Sequence, residues 1–198
     1  MPVSWLALPP EPWKNGAGQT RTLAADSAAR WRVSIADIDR DGPYSRFPGY
    51  DRVSVVLSGQ GVELRGESAA MLLLPGEPAG FAGDAAFTSR LLGGPVRVLN
   101  LFVLRGAATA HVFVAGGAAA PLAAGGLDGS PRTTRLVLAL RAGRLDGKAP
   151  GAALAAGEYL VTAAEGDAGG AFLPAARPPP GGISAIVLDI GVAAADGA

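Results

Sequence analysis

Short apolar runs, roughly four to eight residues long and cut by Gly or Pro, recur along this chain and set its fold class. The segments "RWRVSIADI", "DRVSVVLSG", "AMLLLPGE", "VRVLNLFVLRG", "TRLVLALRAG", "EYLVTAA" and "ISAIVLDIGV" follow one another with turn signals between them. They are strand-length and rich in Val, Leu and Ile, and several alternate apolar with polar. Helix-period patterns of useful length are scarce. The pattern predicts an all-β fold of the sandwich or barrel kind. At 198 residues the chain suits one large β domain or two small ones.

The order of segments occurs twice. In "VSVVLSGQGVEL" a strand, a Gly-x-Gly turn and a strand are followed by "LLLPGEPAGF", with a Gly-Glu turn, and by "VRVLNLFVLRG". Further on, "RLVLALRAGRL", "AALAAGEYLVTA" and "ISAIVLDIGVA" repeat the scheme. Gly76-Glu77 and Gly157-Glu158 take equivalent places, about 80 residues apart. We expect two copies of one small β-barrel, over residues 1–110 and 111–198, with strands open to exchange between them. The low-information stretch 115–132, "AGGAAAPLAAGGLDGSPR", reads as a connector, and "ARPPPGG" (176–182) as a stiff polyproline-like loop.

Composition removes whole classes of function. The 17 basic and 17 acidic residues balance, so the long-range field that draws proteins to phosphate backbones is missing and nucleic acid is not expected as a partner. Without cysteine there is no disulfide, thiolate nucleophile, Fe–S cluster or zinc ribbon. The lone histidine, His111, has no second His or Cys nearby, so no metal or other cofactor is expected; on its apolar strand it reads as a structural histidine. No apolar run reaches the roughly 18 residues that would span a bilayer. The N-terminus lacks a basic signal-peptide start, so a cytoplasmic protein without membrane contact is expected, as a monomer or homodimer. Walker, dinucleotide and Gly-x-Ser-x-Gly patterns are missing from the sequence.

Three polar clusters remain. In "PWKNGAGQTR" (Pro12–Arg21), Asn15-Gly16 predicts a type I′ turn with positive φ at both residues. Alternation then lets only one of Thr20 and Arg21 face a given cavity. Either this is a surface hairpin with solvated Lys14 and Arg21, or Trp13 makes it a pocket wall. In "DGPYSRFPGYDR" (41–52), a loop with Tyr44, Ser45 and Phe47 runs into a strand that puts Arg52, Ser54 and Val56 on one face. Asp51 and Arg52 either close a surface turn, or Arg52 points inward and needs a carboxylate from protein or ligand. Asn100 shares a face with Val96, Val98 and Phe102. It either bonds neighbouring backbone or holds a ligand, because a buried unsatisfied amide costs about 1–3 kcal/mol.

These motifs, "PWKNGAGQTRTLA", "WRVSIADIDRDGPYSRFPGYDR", "LSGQGVEL" and "LLGGPVRVLNLF", resemble in content, order and spacing the HutD/Ves family of bicupins. The likeness runs from about Trp13 to Arg105. The family typically has Gly-Gly where Ala17 precedes Gly18, and often Phe in place of Tyr44. The resemblance implies two cupin-like β-barrels, or jelly rolls, in one chain, without the metal-binding histidines of other cupins. It implies a small carboxylate ligand, with N-formylglutamate or a related histidine-degradation intermediate as candidate, in a regulatory or buffering role. It implies pocket residues Trp13, Lys14, Asn15, Thr20, Arg21, Ser34, Ser45, Phe47, Asp51, Arg52 and Asn100. The alternative is a metal-independent cupin isomerase or hydrolase, with Lys14 or Tyr44 as acid or base.

Overall fold

The computed structural model describes residues 1–67, 69–116, 122–124, 132–146, 151–164, 171–179 and 182–192. Most of the connector expected at 115–132 lies outside these residues, as do positions 180–181 of the proline-rich loop; within the connector Leu122–Ala124 is a strand.

The chain begins with β1 (Val3–Ser4), a 3-10 turn over Trp5–Ala7, β2 (Glu11–Pro12), β3 (Gly18–Ala25), β4 (Trp31–Ile38), β5 (Gly42–Tyr44) and β6 (Tyr50–Ser58). Then come β7 (Val62–Arg65), β8 (Ala70–Leu73), β9 (Pro78–Ala82), β10 (Phe87–Leu91), β11 (Val96–Leu104), β12 (Ala108–Ala115) and β13 (Leu122–Ala124). Last are β14 (Arg132–Ala139), β15 (Gly143–Leu145), β16 (Ala153–Leu154), β17 (Glu158–Ala164), β18 (Phe172–Pro174) and β19 (Ala185–Val192). One large sheet has the order β2-β3-β4-β11-β6-β9 and the other β1-β17-β14-β19-β12-β13. A four-stranded sheet, β5-β10-β7-β8, and a three-stranded one, β16-β15-β18, complete the fold.

Side-chain packing layers these sheets. The main core joins the two large sheets face to face, with Val33, Ile35, Val53, Val55, Leu99 and Leu101 from one and Ala110, Val112, Leu136, Leu138, Ile186 and Leu188 from the other. A second core (Ile38, Val56, Val98 against Leu64, Leu73) fills the space between the first large sheet and its four-stranded partner. A third (Val137, Val187 against Leu154, Phe172) does so in the second half. Each half is a two-sheet jelly roll of the cupin kind, not a closed barrel. The large sheets are buried on both faces, which is why "VRVLNLFVL" and "AIVLDIGV" run almost continuously apolar.

The repeat is written into the hydrogen bonds. Gly76 and Gly157 both take positive φ, +74° and +82°, in turns closed by Glu77 N–H on Leu74 O (3.2 Å) and Glu158 N–H on Ala155 O (3.1 Å). Each glycine N–H also donates to the strand beneath it, Gly76 to Val56 O (3.0 Å) and Gly157 to Ala139 O (2.8 Å). Val56 of β6 is therefore equivalent to Ala139 of β14. Counting back from these makes Arg52 equivalent to Arg135. Across the sheets Val98 pairs with Val56 and Ala185 with Ala139, so Phe102 is equivalent to Asp189. The neighbouring strands then match Arg32 with His111, since Phe102 pairs with Arg32 and Asp189 with His111.

The face-to-face core should dominate stability. Leu101, 0% exposed within it, should cost about 2–5 kcal/mol when cut to Ala, read from urea unfolding. A loss below about 1 kcal/mol would show that the sheets do not depend on this contact.

Candidate functional site

The inner face of the first half opens into a cavity of about 460 Å³, within the usual range for small-molecule sites. The inward positions of β4, β11 and β6 form its floor: Arg32, Ser34 and Ala36, then Asn100 and Phe102, then Arg52. Thr20 of β3, the segment Glu11–Asn15, Tyr44 at the end of β5 and the loop residues Ser45 and Phe47 form its walls. Nine expected residues thus line one cavity: Trp13, Lys14, Asn15, Thr20, Ser34, Ser45, Phe47, Arg52 and Asn100. Two do not. Arg21 lies on the opposite face of β3, where its Nη1 meets Asp37 Oδ2 at 3.0 Å and its guanidinium stands 5.6 Å from the Trp5 ring. Alternation forces that choice once Thr20 points inward. Asp51 is taken by Arg105, whose Nε donates to Oδ1 at 2.7 Å.

The first wall is built by the "PWKNGAGQTR" turn. Gly16 N–H bonds Trp13 O (2.9 Å), which makes Lys14 and Asn15 the central residues. Gly16 has φ +64°, while Asn15 is not among the positive-φ residues. The turn is therefore not type I′. Asn15 instead uses its side chain, with Oδ1 accepting from Ala17 N–H at 3.0 Å, the local turn mimicry Asn favours. Trp13 Nε1–H donates to Thr20 Oγ1 (2.8 Å), which holds the indole against the cavity.

Arg52 is the centre of the site. It is 4% exposed. Its Nη1 donates to Ser45 O (2.8 Å) and its Nη2 to Asn100 Oδ1 (3.1 Å), while Nε is buried without a partner. Four rings surround the guanidinium, with centroids at 4.5 Å (Tyr44), 4.7 Å (Phe102), 5.1 Å (Phe81) and 5.3 Å (Phe47). Asn100 Oδ1 accepts from Ser54 Oγ (2.7 Å) and Tyr44 OH (3.2 Å) as well. Because an arginine only donates, that contact fixes which way the amide points. Among the described residues neither Arg52 nor Arg32 has a carboxylate within ion-pair distance. Burial works against the Arg52 charge; nearby Tyr44 partly offsets this, and the positive Arg32 adds to the cost. A guanidinium does not lose its proton in proteins, so the charge and its cost both stay. The acidic group at the rim, Glu11, is engaged by Thr22 Oγ1 (3.1 Å).

Arg32, Phe102 and Phe81 were not singled out from the sequence. Arg32 was within reach, since it stands two residues before Ser34 on the same face. Its ring contacts, 4.9 Å to Phe102 and 5.5 Å to Phe47, depend on the tertiary fold. Phe81 lies opposite Arg52 on β9, a pairing the sequence does not announce. His111, read from the sequence as a structural histidine, is exposed and sits opposite Asp189.

A sequence profile of the HutD family matches residues 7–169. The chain belongs to the HutD family. It is 40% identical over 99 residues to an uncharacterised 21.2 kDa protein in the hutC 3′ region of Pseudomonas putida, covering 47% of this chain and 52% of that one. It is 38% identical over 114 residues to protein Ves of Citrobacter koseri, covering 54% and 60%. The matches thus span a little over half the length of these curated relatives. Among solved structures, a conserved protein of unknown function, PA5104 of Pseudomonas aeruginosa PAO1, superposes with TM-score 0.72 at 26% identity, covering 98% of both chains. HutD of Pseudomonas fluorescens SBW25, determined in a formate condition, gives 0.66 at 26%, again over 98% of both. In this HutD-family chain the matched region contains every residue of the cavity. Among the described residues no group of three or more His, Cys, Asp or Glu could hold a metal ion, and no helix is long and apolar enough to cross a membrane.

The network on the far side of β3 gives a test of its own. Burial alone would raise the Asp37 carboxyl. Hydrogen bonds from Gln19 and Arg97, the Arg97 charge and the Arg21 bond outweigh this and hold it below the usual carboxylate range. A carboxylate lowered on folding stabilises fully above its unfolded pKa, and loses that as pH falls through the folded one. Asp37→Asn should therefore destabilise the protein at neutral pH, with the gap closing toward acid. Melting curves at several pH values check this, and a gap independent of pH would be the contrary result.

Proposed function

We propose that this chain is a metal-free binding module for a small carboxylate, which docks against Arg52 in the first-half cavity. One observation carries the reading: the buried Arg52 guanidinium lines the cavity, its Nε has no hydrogen-bond partner, and among the described residues no carboxylate lies within ion-pair distance of it, although the equivalent Arg135 has one. There Asp189 binds side-on, Arg135 Nε to Oδ1 at 2.6 Å and Nη2 to Oδ2 at 2.7 Å. A buried cation without an anion is costly, and a ligand carboxylate would turn that cost into charge-assisted hydrogen bonds.

The other groups suit a ligand rich in hydrogen-bond acceptors. Ser34 Oγ lines the cavity, and Asn100 Nδ2 is left to donate once Oδ1 is saturated. Lys14 adds positive charge at the rim, and Trp13, Phe47 and Phe102 give rigid apolar walls. The family's association with histidine utilisation makes N-formylglutamate, or a related intermediate, the first ligand to test. A regulatory or buffering role fits a site built for capture, and the chain's one histidine, His111, lies in the other half.

Titration of the intact chain with small carboxylates should show saturable binding. Arg52→Met should weaken it by about tenfold or more, the worth of a charged hydrogen bond. The melting temperature of that variant should stay level or rise, because it removes a buried cation that lacks a counter-ion. Unchanged affinity would remove Arg52 from the site. Turnover of any of these carboxylates, followed by NMR, would replace the binding reading with the enzymatic one.

A further inference from the structure

The second half carries the same arginine in a different company. Phe102 stands between Arg32 and Arg52 on the first large sheet, and Asp189 stands between His111 and Arg135 on the second. The Asp189 and Arg135 side chains are 19% and 13% exposed, so the pair is largely withdrawn from water. Both point to the inner face of their jelly roll, on the same side as Val187 and Val137. Asp189 therefore places a planar carboxylate on the Nε–Nη2 edge of Arg135, the guanidinium edge whose Nε lacks a partner in Arg52.

We infer that Asp189 is a built-in substitute for the ligand, so that the second jelly roll is an anion site closed from within and the duplicated chain binds one carboxylate, not two. This rests on the reading of Arg52 given above for its choice of anion, but it makes an independent statement about Arg135. The physical basis is competition. A tethered carboxylate at contact distance acts at an effective concentration in the millimolar range or higher, which a weak free anion does not match. Removing the tethered group should give the Arg135 edge to an anion from solution. The ligand class is set by the substitute: a small, planar carboxylate that spans two nitrogens side-on.

The experiment follows the side-chain Nε–H resonances of the intact chain by NMR during titration with sodium acetate. In the wild type, acetate should move the Arg52 signal and leave the Arg135 signal in place. In Asp189→Ala, acetate should also move the Arg135 signal, raising the number of bound anions per chain by one. The double variant Arg135→Met/Asp189→Ala should lose that added site. If Asp189→Ala folds poorly, Asp189→Asn keeps the shape without the charge, and acetate should then raise its melting temperature more than that of the wild type. An Arg135 signal that acetate leaves unmoved in folded Asp189→Ala, or equal acetate-induced shifts in melting temperature for Asp189→Asn and wild type, would overturn the inference. An Arg52 signal unmoved in the wild type would instead overturn the first-half reading, leaving the added Arg135 site to be judged by itself.

Discussion

The face-to-face packing of the two large sheets is the constraint on which the other features depend. Once Leu99, Leu101 and Val103 of β11 are committed to that core with Val53 and Val55 of β6, the pleat sends every second residue the other way. Arg52, Ser54, Asn100 and Phe102 have no choice but the inside of the first jelly roll. A one-residue slip would bury charge between the sheets and turn Leu and Val into the cavity, so packing fixes the register of the site. The site inherits its rigidity from the same source, because its floor is three central strands buried on both faces.

Within that frame, Arg52 is held by complementary but incomplete contacts. The ring faces accommodate a cation, and Ser45 O and Asn100 Oδ1 accept two of its hydrogen bonds. These neutral partners orient the guanidinium without neutralising it. The second half shows the alternative, a carboxylate at 2.6–2.7 Å. Duplication has thus produced two copies of one arginine. One meets a carboxylate of the protein, and the other, among the described residues, meets none.

Much of this was legible in the sequence, for physical reasons. Period-two alternation and Gly-Glu turns announce strands and a repeat whatever the neighbours are, and the repeated turns hold the same backbone bonds at Gly76 and Gly157. Asn100 stood out because an amide in an apolar strand needs an explanation. The misses have a common cause in contacts distant along the chain. Asp51-Arg52 reads as a local pair, yet Asp51 is claimed by Arg105, 54 positions on. Asn15-Gly16 reads as the centre of a type I′ turn, yet the chain turns one residue earlier and Arg40 Nη2 bonds the carbonyl of Gly16 at 2.7 Å.

The sequence by itself determined the strands, the duplication and the absence of cysteine-based chemistry, because these rest on local periodicity and on which side chains exist at all. Between Thr20 and Arg21 it could say only that one faces inward. The tertiary structure made the choice, since Asp37 and Trp5 wait for the guanidinium on the far side. It alone brought Arg32 and Phe81 to Arg52 and put a carboxylate beside Arg135 but, among the described residues, none beside Arg52. Charge compensation depends on which residues lie opposite each other across a sheet, and that is settled by packing, not by sequence neighbourhood.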